Sequence, residues 1–209
     1  ITGLSRWILI KPIFPRPSSR SQIYTHALNK ETVIAKGDNL ERIDHQLIAM
    51  FKDASKSFKK RGIKVQSKMM MWGFSASGSF VNRFVLLNPK IVHAAAIGAP
   101  GGWITVPTVK SEHGALPFPL GLSVFASLAS FKFDLKSYQK VKQLFYQGSK
   151  DDNEDSYTSK EREILYKFGK TRPQRWPKNI ELIKQSKCDC TFKLFPGNGL
   201  FRYLLKLIF

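Results

Sequence analysis

The chain has 209 residues, 43% hydrophobic and 12% aromatic, a composition that excludes a disordered chain and allows one domain with a substantial core. It carries 34 Lys and Arg against 15 Asp and Glu, a formal net charge of +19. The basic residues are scattered, with no run longer than three and no nucleic-acid-binding motif, so we interpret the charge as a solvated surface and disfavour nucleic acid as partner.

Apolar runs and helix-like periods alternate along the chain. The patterns predict strands over residues 7–14, 68–72, 91–100 and 140–148, and a last strand with its exit loop over 188–199. They predict helices over residues 38–62, 76–87, 159–168 and 173–185. The helix over 38–62 has Asp38 as its expected N-cap, Glu41 as capping-box partner and Gly62 at its end. Alternating strands and helices predict an α/β protein with a mostly parallel sheet flanked by helices, as a single domain over residues 1–209.

Residues 103–136 show no clear period and contain three prolines. This stretch is too long for a simple connection in a compact domain, so we predict a lid-like insertion there. Its aromatic residues, Trp103, Phe118 and Phe125, fit an acyl or alcohol pocket or the core, and for each one the core is the safer interpretation.

The two cysteines, Cys188 and Cys190, are too few for a zinc site or a disulfide framework, so we interpret them as small residues on a strand. We expect no metal and no cofactor. No apolar run approaches the roughly eighteen residues that a membrane helix needs.

The most specific motif is GFSASG, residues 73–78, between a predicted strand and a predicted helix. A sharp strand-to-helix turn would expose Ser75, and Gly73 leaves room where the chain turns. The N–H of Ala76, near the helix start, would face an oxyanion. Ser77 stands where the usual G-x-S-x-G pattern has its second glycine, and Gly78 follows one residue later.

At these residues the chain resembles the α/β-hydrolases, in particular a bacterial branch of esterase- and polyester-depolymerase-like members. The segments IKPIFPRP and LFYQGSKDDNEDS are similar to their oxyanion strand and acid turn, and the resemblance extends over residues 8–199. It implies Ser75 as nucleophile, and the backbone N–H groups of Ala76 and of Phe14 or its neighbour as oxyanion donors. It also implies Asp151 as the acid, with Asp152 as a rival. The carboxylates of 151–155 could alternatively bind a hard cation.

The family's catalytic histidine is missing from its expected place. It should follow LFPGNG, where Leu200 stands, and the four histidines, His26, His45, His93 and His113, all precede Asp151. We assign none of them to the triad. The simpler expectation is a chain truncated at both ends, with its C-terminal part altered or cut short near Gly199. The alternative is a genuine apolar tail that packs on the sheet or on a membrane surface.

The resemblance implies a serine hydrolase that cleaves carboxylic esters through an acyl-enzyme and is impaired by the missing histidine. The expected partner is a small-molecule or polymeric ester. The alternative is a catalytically inactive relative or fragment that only binds. A basic surface binder has only the charge in its favour, and the sequence does not separate a cytoplasmic from a secreted bacterial protein.

Overall fold

The computed structural model of the chain describes residues 8–14, 18–20, 23, 25–37, 39–125, 127, 132–152, 157–197 and 199. Asp38, Leu200 and the segments 153–156 and 200–209 therefore lie outside the described residues. Within them the helices are α1 (Lys30–Val33), α2 (Ile43–Lys60), α3 (Ala76–Leu87), α4 (Leu135–Tyr138), α5 (Ser159–Tyr166) and α6 (Arg172–Lys184). Short 3₁₀ turns lie at Ser18–Arg20, Thr25–Ala27 and Pro89–Ile91.

The central sheet consists of four strands in the order β1 (Met69–Phe74), β2 (Val92–Gly98), β5 (Lys142–Gly148) and β6 (Cys190–Phe195), each parallel to its neighbour. A small antiparallel hairpin joins β3 (Lys110–Ser111) to β4 (Gly114–Ala115). Helices occupy the connections between the parallel strands, which is the arrangement that crossover connections require. The predicted α/β class with a mostly parallel sheet is confirmed.

Helix α3 is buried along almost its whole length, and its buried polar residues include Asn82 and Arg83. Arg83 donates through Nη1 to the carbonyl oxygen of Ala27 at 2.7 Å. Asn82 accepts from the N–H of Thr105 at 2.8 Å and donates to the Thr105 carbonyl oxygen at 3.3 Å. Because these buried groups have partners, the helix can be covered on more than one side without the cost of unsatisfied polar atoms.

The segment from residue 103 onward contributes to the main hydrophobic core. Trp103, Phe118 and Phe125 are all buried in the cluster that includes the sheet and α3, and the indole N–H of Trp103 donates to the Leu120 carbonyl oxygen at 2.8 Å. The interpretation of these aromatics as core residues is confirmed. The lid-like insertion over residues 103–136 stays a prediction.

The predicted strand over residues 7–14 is wrong for its described part, since residues 8–14 form no strand. Leu9 and Ile13 are 89% and 84% exposed, and only Phe14 is buried. Pro12 lacks the N–H that a ladder needs, which limits pairing in this apolar run.

The long helix α2 begins at Ile43, five residues later than predicted, after Arg42 in a left-handed conformation with φ of 43°. Glu41 is not a capping-box partner within the helix; its carboxylate accepts from the N–H of Gly37 at 3.1 Å. The cysteines also differ from the prediction, because Cys188 precedes β6 and is joined to Cys190 by a disulfide.

Candidate active site

Ser75 occupies the corner between β1 and α3, as the motif predicts. Its φ of 58° and ψ of −123° lie in a region that L-residues rarely adopt and that costs about 1–3 kcal/mol. The Ser75 N–H donates to the Gly98 carbonyl oxygen at 2.9 Å, and its own carbonyl oxygen accepts from the Ser79 N–H at 3.0 Å. The corner is therefore held by the neighbouring strand on one side and by the first helical turn on the other.

Two glycines allow the helix to start this close to the sheet. A Cβ on Gly73 would overlap the Ser77 carbonyl group, and a Cβ on Gly78 would overlap the Gly98 carbonyl oxygen. Ser77 is exposed, and its hydroxyl bridges the N–H and the carbonyl oxygen of Phe74 at 2.9 and 2.8 Å. The helix therefore comes closest to strand β2 at Gly78 and not at Ser77. A serine at position 77 is compatible with the turn because its side chain points away from this contact.

The start of α3 presents unpaired donors beside Ser75. The N–H groups of Ala76, Ser77 and Gly78 have no acceptor among the described residues, as the first turn of a helix leaves them. The helix macrodipole favours negative charge at this end. These amides can stabilise an oxyanion that forms on a carbonyl attacked by the Ser75 hydroxyl.

Phe14, the second expected oxyanion donor, packs against the same helix. Its ring stacks on that of Phe80 with centroids 5.9 Å apart. Phe80 lies four residues after Ala76, so the two residues share one face of α3. The described residues offer no hydrogen-bond acceptor to the N–H of Phe14.

Asp151 lies three residues beyond the end of β5, where its N–H donates to the Gly148 carbonyl oxygen at 3.3 Å. The residue is only 1% exposed, and Oδ2 accepts from Arg172 Nη1 at 2.9 Å. Oδ1 is also buried, and it has no hydrogen-bond partner within the described part of the chain. Asp152, the rival, is exposed, so the structure distinguishes two carboxylates that spacing alone leaves equivalent.

Helix α6 supplies the polar contacts that hold this region, and the sequence prediction missed them. Arg172 pairs with Asp151, Arg175 Nε donates to the Gly102 carbonyl oxygen at 3.0 Å, and Asn179 bonds to both the N–H and the carbonyl of Ile104. Residues 172, 175 and 179 recur at helical spacing, the signal that could have identified a buried polar face. The predicted helix began at 173 and left Arg172 out.

The exits of the parallel strands meet at one edge of the sheet. The Ser75 N–H donates to the backbone carbonyl oxygen of Gly98. In the same way the Ala99 N–H donates to the Tyr146 carbonyl oxygen at 2.7 Å, and the Ser149 N–H to the Phe195 carbonyl oxygen at 2.9 Å. After β6 the Gly197 N–H donates to the Ser149 hydroxyl at 3.0 Å. A Cβ on Gly199 would lie 3.7 Å from the Lys150 carbonyl oxygen, so the chain just before position 200 runs beside the residue that precedes Asp151.

None of the histidines reaches the site through a hydrogen bond. His26, His45, His93 and His113 are exposed, and within the described part of the chain neither Ser75 nor Asp151 bonds to a histidine. His45 lies on the exposed side of α2. His93 sits near the start of β2, at the opposite end of the strand from Gly98, and the His113 ring packs on Phe168 with centroids 4.9 Å apart.

Tyr146 is the titratable residue next to the corner. Burial raises the pKa of its hydroxyl, although a hydrogen bond from the Trp72 indole N–H at 2.9 Å opposes that rise. The phenol is therefore neutral at physiological pH and does not supply a base for Ser75.

In the described part of the chain no group of three or more His, Cys, Asp and Glu side chains is placed to hold a metal ion. Among the same residues no helix combines the length and hydrophobicity needed to cross a membrane.

No protein-family model and no curated protein sequence matches the chain. Among solved structures it is similar to poly(aspartic acid) hydrolase-1 from Sphingomonas sp. KT-1, with a TM-score of 0.62 and 21% identity over 88% of this chain and 69% of that one. It is also similar to LpqC, a poly(3-hydroxybutyrate) depolymerase from Bordetella parapertussis, with a TM-score of 0.52 and 19% identity over 73% of this chain and 50% of that one. The chain thus has the predicted α/β-hydrolase fold. It spans about two thirds of the length of the first protein and half of the length of the second.

Proposed function

We propose that the chain is built as a serine hydrolase that acts on carboxylic esters through an acyl-enzyme. The observation that carries this proposal is Ser75, held at positive φ on a strand-to-helix corner directly before three amide N–H groups without described acceptors. A strained backbone at a partly exposed hydroxyl beside unpaired donors is expected of a nucleophile.

In the proposed reaction the Ser75 hydroxyl oxygen attacks the ester carbonyl carbon and a tetrahedral oxyanion forms. The N–H groups of Ala76 and Phe14 stabilise that oxyanion. The carbon–oxygen bond to the alcohol then breaks, and the alcohol leaves with the proton that Ser75 lost. Water attacks the acyl-enzyme in the same way and releases the carboxylic acid.

Asp151 is proposed as the acid of the site. Its burial, its position after β5 and its free Oδ1 fit a carboxylate that orients a base, whereas the exposed Asp152 does not have these features. In a serine triad, removal of the histidine lowers turnover by roughly a millionfold, and the oxyanion hole with substrate binding retains about 10³-fold over water. We therefore expect slow acylation in the chain as it stands.

The substrate is proposed to be a small-molecule or polymeric ester. The names of both solved neighbours describe hydrolysis or depolymerisation of a polymer, which supports including polymers in the substrate screen. A nucleophile that acts on a polymer must be accessible from the protein surface. Ser75 is partly exposed, which fits this requirement.

A second candidate is a non-catalytic relative that binds an acyl compound without cleaving it. The specific observation in its favour is that no histidine hydrogen-bonds to Ser75 or Asp151 among the described residues. On this alternative the corner and its amides would bind a carbonyl or carboxylate reversibly.

The test is hydrolysis of p-nitrophenyl acetate by the wild type and by the Ser75→Ala and Leu200→His variants. Asp152→Asn is the control, because it removes the exposed carboxylate that is not proposed as the acid of the site. The resemblance places the family's histidine at 200, so we expect Leu200→His to increase the rate by at least about 10²-fold, the lower end for a positioned base. Wild-type and Asp152→Asn rates should agree and exceed that of Ser75→Ala. If binding is the function, folded Leu200→His and Ser75→Ala proteins will both remain at the uncatalysed rate.

A further inference from the structure

The disulfide between Cys188 and Cys190 lies outside the proposed hydrolase site. Cys190 is the first residue of β6, so the disulfide lies at the amino end of the parallel sheet. Ser75 and Asp151, in contrast, follow the carboxyl ends of β1 and β5. Both cysteines are partly exposed. The disulfide is therefore a separate feature of the protein surface, which ester hydrolysis does not explain.

A disulfide this short contributes little to the stability of the fold. A cross-link stabilises a protein mainly by restricting the unfolded chain, and this effect grows with the number of residues in the closed loop. Here the loop contains only the two cysteines and Asp189. A partly exposed disulfide with little structural benefit belongs to the kind that exchanges with thiols.

Backbone hydrogen bonds hold this loop independently of the sulfur atoms. The Asp189 N–H donates to the Gln139 carbonyl oxygen at 3.4 Å, and the Asp189 carbonyl oxygen accepts from the Gln143 N–H at 2.8 Å. The Cys190 N–H donates to the Cys188 carbonyl oxygen at 3.0 Å. The two cysteines should therefore stay together when the sulfur–sulfur bond is broken, so that it can form again.

The two sulfur atoms have different polar neighbours. The side-chain N–H of Gln143, a residue that is 3% exposed, donates to Cys190 Sγ at 3.7 Å. Cys188 Sγ instead lies 3.8 Å from the carbonyl oxygen of Ile183. A donor favours a thiolate, whereas an acceptor favours the protonated thiol. Cys190 is therefore the better leaving group, and Cys188 is the sulfur that an incoming thiolate attacks.

The charges near the loop also favour a thiolate. Lys187 directly precedes Cys188, and Lys142 directly precedes Gln143, the residue that pairs with Cys190 in the sheet. Both lysines are exposed, and the opposing carboxylate next to the cysteines is that of Asp189. Cations near a cysteine stabilise its thiolate form. Two lysines against one carboxylate leave a positive balance at this loop.

We propose that Cys188 and Cys190 form a thiol–disulfide exchange site that oxidises dithiols, an activity separate from ester hydrolysis. A thiolate of the dithiol attacks Cys188 Sγ, the Cys188–Cys190 bond breaks, and its electron pair leaves on Cys190 Sγ. The second thiolate of the dithiol attacks the sulfur now bound to Cys188 and expels Cys188 as a thiolate. The dithiol loses two electrons, the protein gains them, and the two protons of the dithiol pass to the cysteines. Oxidised glutathione restores the disulfide by the reverse steps.

The experiment adds the full chain to a peptide dithiol and oxidised glutathione, and mass spectrometry follows formation of the peptide disulfide. We expect the wild type to increase the rate about tenfold or more over glutathione alone, because a thiolate that is a good leaving group speeds exchange. Without the peptide, reduced glutathione should convert the disulfide of the folded protein to two thiols. The inference is overturned if reduction requires a denaturant, if the peptide is oxidised no faster, or if the folded Cys188→Ser/Cys190→Ser variant is equally active.

Gln143→Leu tests the donor to Cys190, with Gln147→Leu as its matched control. Both glutamines are buried on β5, at 3% and 4% exposure, and they lie four residues apart on the same face of the strand. Folded Gln143→Leu should be reduced by glutathione about threefold or more slowly than the wild type, because a leaving thiol without its donor leaves more slowly. Gln147→Leu should keep the wild-type rate. Equal rates for the two variants would contradict the role of Gln143.

The single-cysteine variants test the same asymmetry with Gln143 in place. Cys188→Ser leaves Cys190 as the remaining thiol, and Cys190→Ser leaves Cys188. The rate of alkylation by iodoacetamide is measured against pH, since only the thiolate reacts. The half-maximal rate should come at a lower pH for Cys190 than for Cys188. Equal midpoints, or a lower one for Cys188, would overturn the assignment of Cys190 as the leaving group.

Discussion

The N–H of Ser75 donates to the carbonyl oxygen of Gly98 across 2.9 Å, although Ser75 has already left strand β1. The bond continues the parallel ladder by one residue, beyond the last register pair of Phe74 with Gly98. It holds Ser75 against the sheet while the chain reverses into α3. The positive φ of Ser75 is thus imposed by its surroundings, and several consequences can be measured.

Substitution of Ser75 by glycine should stabilise the protein. Glycine adopts a φ of 58° without a steric penalty, whereas alanine keeps the Cβ that conflicts with it. We expect Ser75→Gly to exceed Ser75→Ala in free energy of unfolding by about 1 kcal/mol or more. Urea denaturation of both variants checks this, and equal stabilities would show that the corner is unstrained.

Gly78 should tolerate no side chain. A Cβ there meets the backbone carbonyl of Gly98, which cannot rotate away as a flexible side chain would. Gly78→Ala should therefore cost about 1–3 kcal/mol, the usual range for overpacking. Ser77→Ala is the neighbouring control, with an expected loss of about 1 kcal/mol for its exposed hydrogen bonds to Phe74. Thermal denaturation that ranks the two variants the other way would contradict the close approach of α3 to the sheet.

Removal of the partner of Asp151 should be strongly destabilising. Arg172→Met leaves a buried carboxylate without its guanidinium, a change that typically costs about 3–5 kcal/mol. The double variant Asp151→Asn/Arg172→Met removes both charges and should recover part of that loss. The measurement is a double-mutant cycle in urea, and additive effects of the two substitutions would show that the pair is not coupled.

Asp44 should make stability depend on acid pH. Burial alone would raise its pKa, but hydrogen bonds from Arg42 and Asn88, the Arg42 charge and nearby His45 lower the pKa below its ordinary 3.8. A lowered folded-state pKa stabilises the protein above the ordinary value, and this contribution is lost as pH falls through the folded-state pKa.

Asp44→Asn tests this contribution. At neutral pH the variant should be about 1.5–3 kcal/mol less stable than the wild type, the range for bonds to a charged group. The difference should shrink as pH falls below 3.8. Urea titrations across this range check it, with the exposed Asp53→Asn as control. A difference that stays constant with pH would contradict the assigned ion pair.

Much of the fold could be predicted because local signals agree with packing. Helix α3 was predicted with its observed ends, since Ser75 precedes it and Asn88 and Pro89 follow it. The prediction for residues 8–14 failed for the opposite reason: the run is apolar, but Pro12 lacks the N–H that pairing in a sheet needs.

The candidate site could be predicted only where residues near in sequence define it. The Ser75 corner is indicated by six consecutive residues, 73–78, although in the structure Gly98 also holds it. The environment of Asp151 depends on Arg172, which is 21 positions away, and no local pattern connects the two. The structure also distinguishes Asp151 from Asp152 by burial. The sequence cannot make that distinction, because the two residues are adjacent in one polar loop.

The most direct measurement is peptide mapping by mass spectrometry after Leu200→His is treated with a fluorophosphonate. The account predicts one adduct, on Ser75, formed much faster than in the wild type and absent from Leu200→His/Ser75→Ala. An unmodified Ser75 in folded Leu200→His, or an adduct that persists in the double variant, would contradict it.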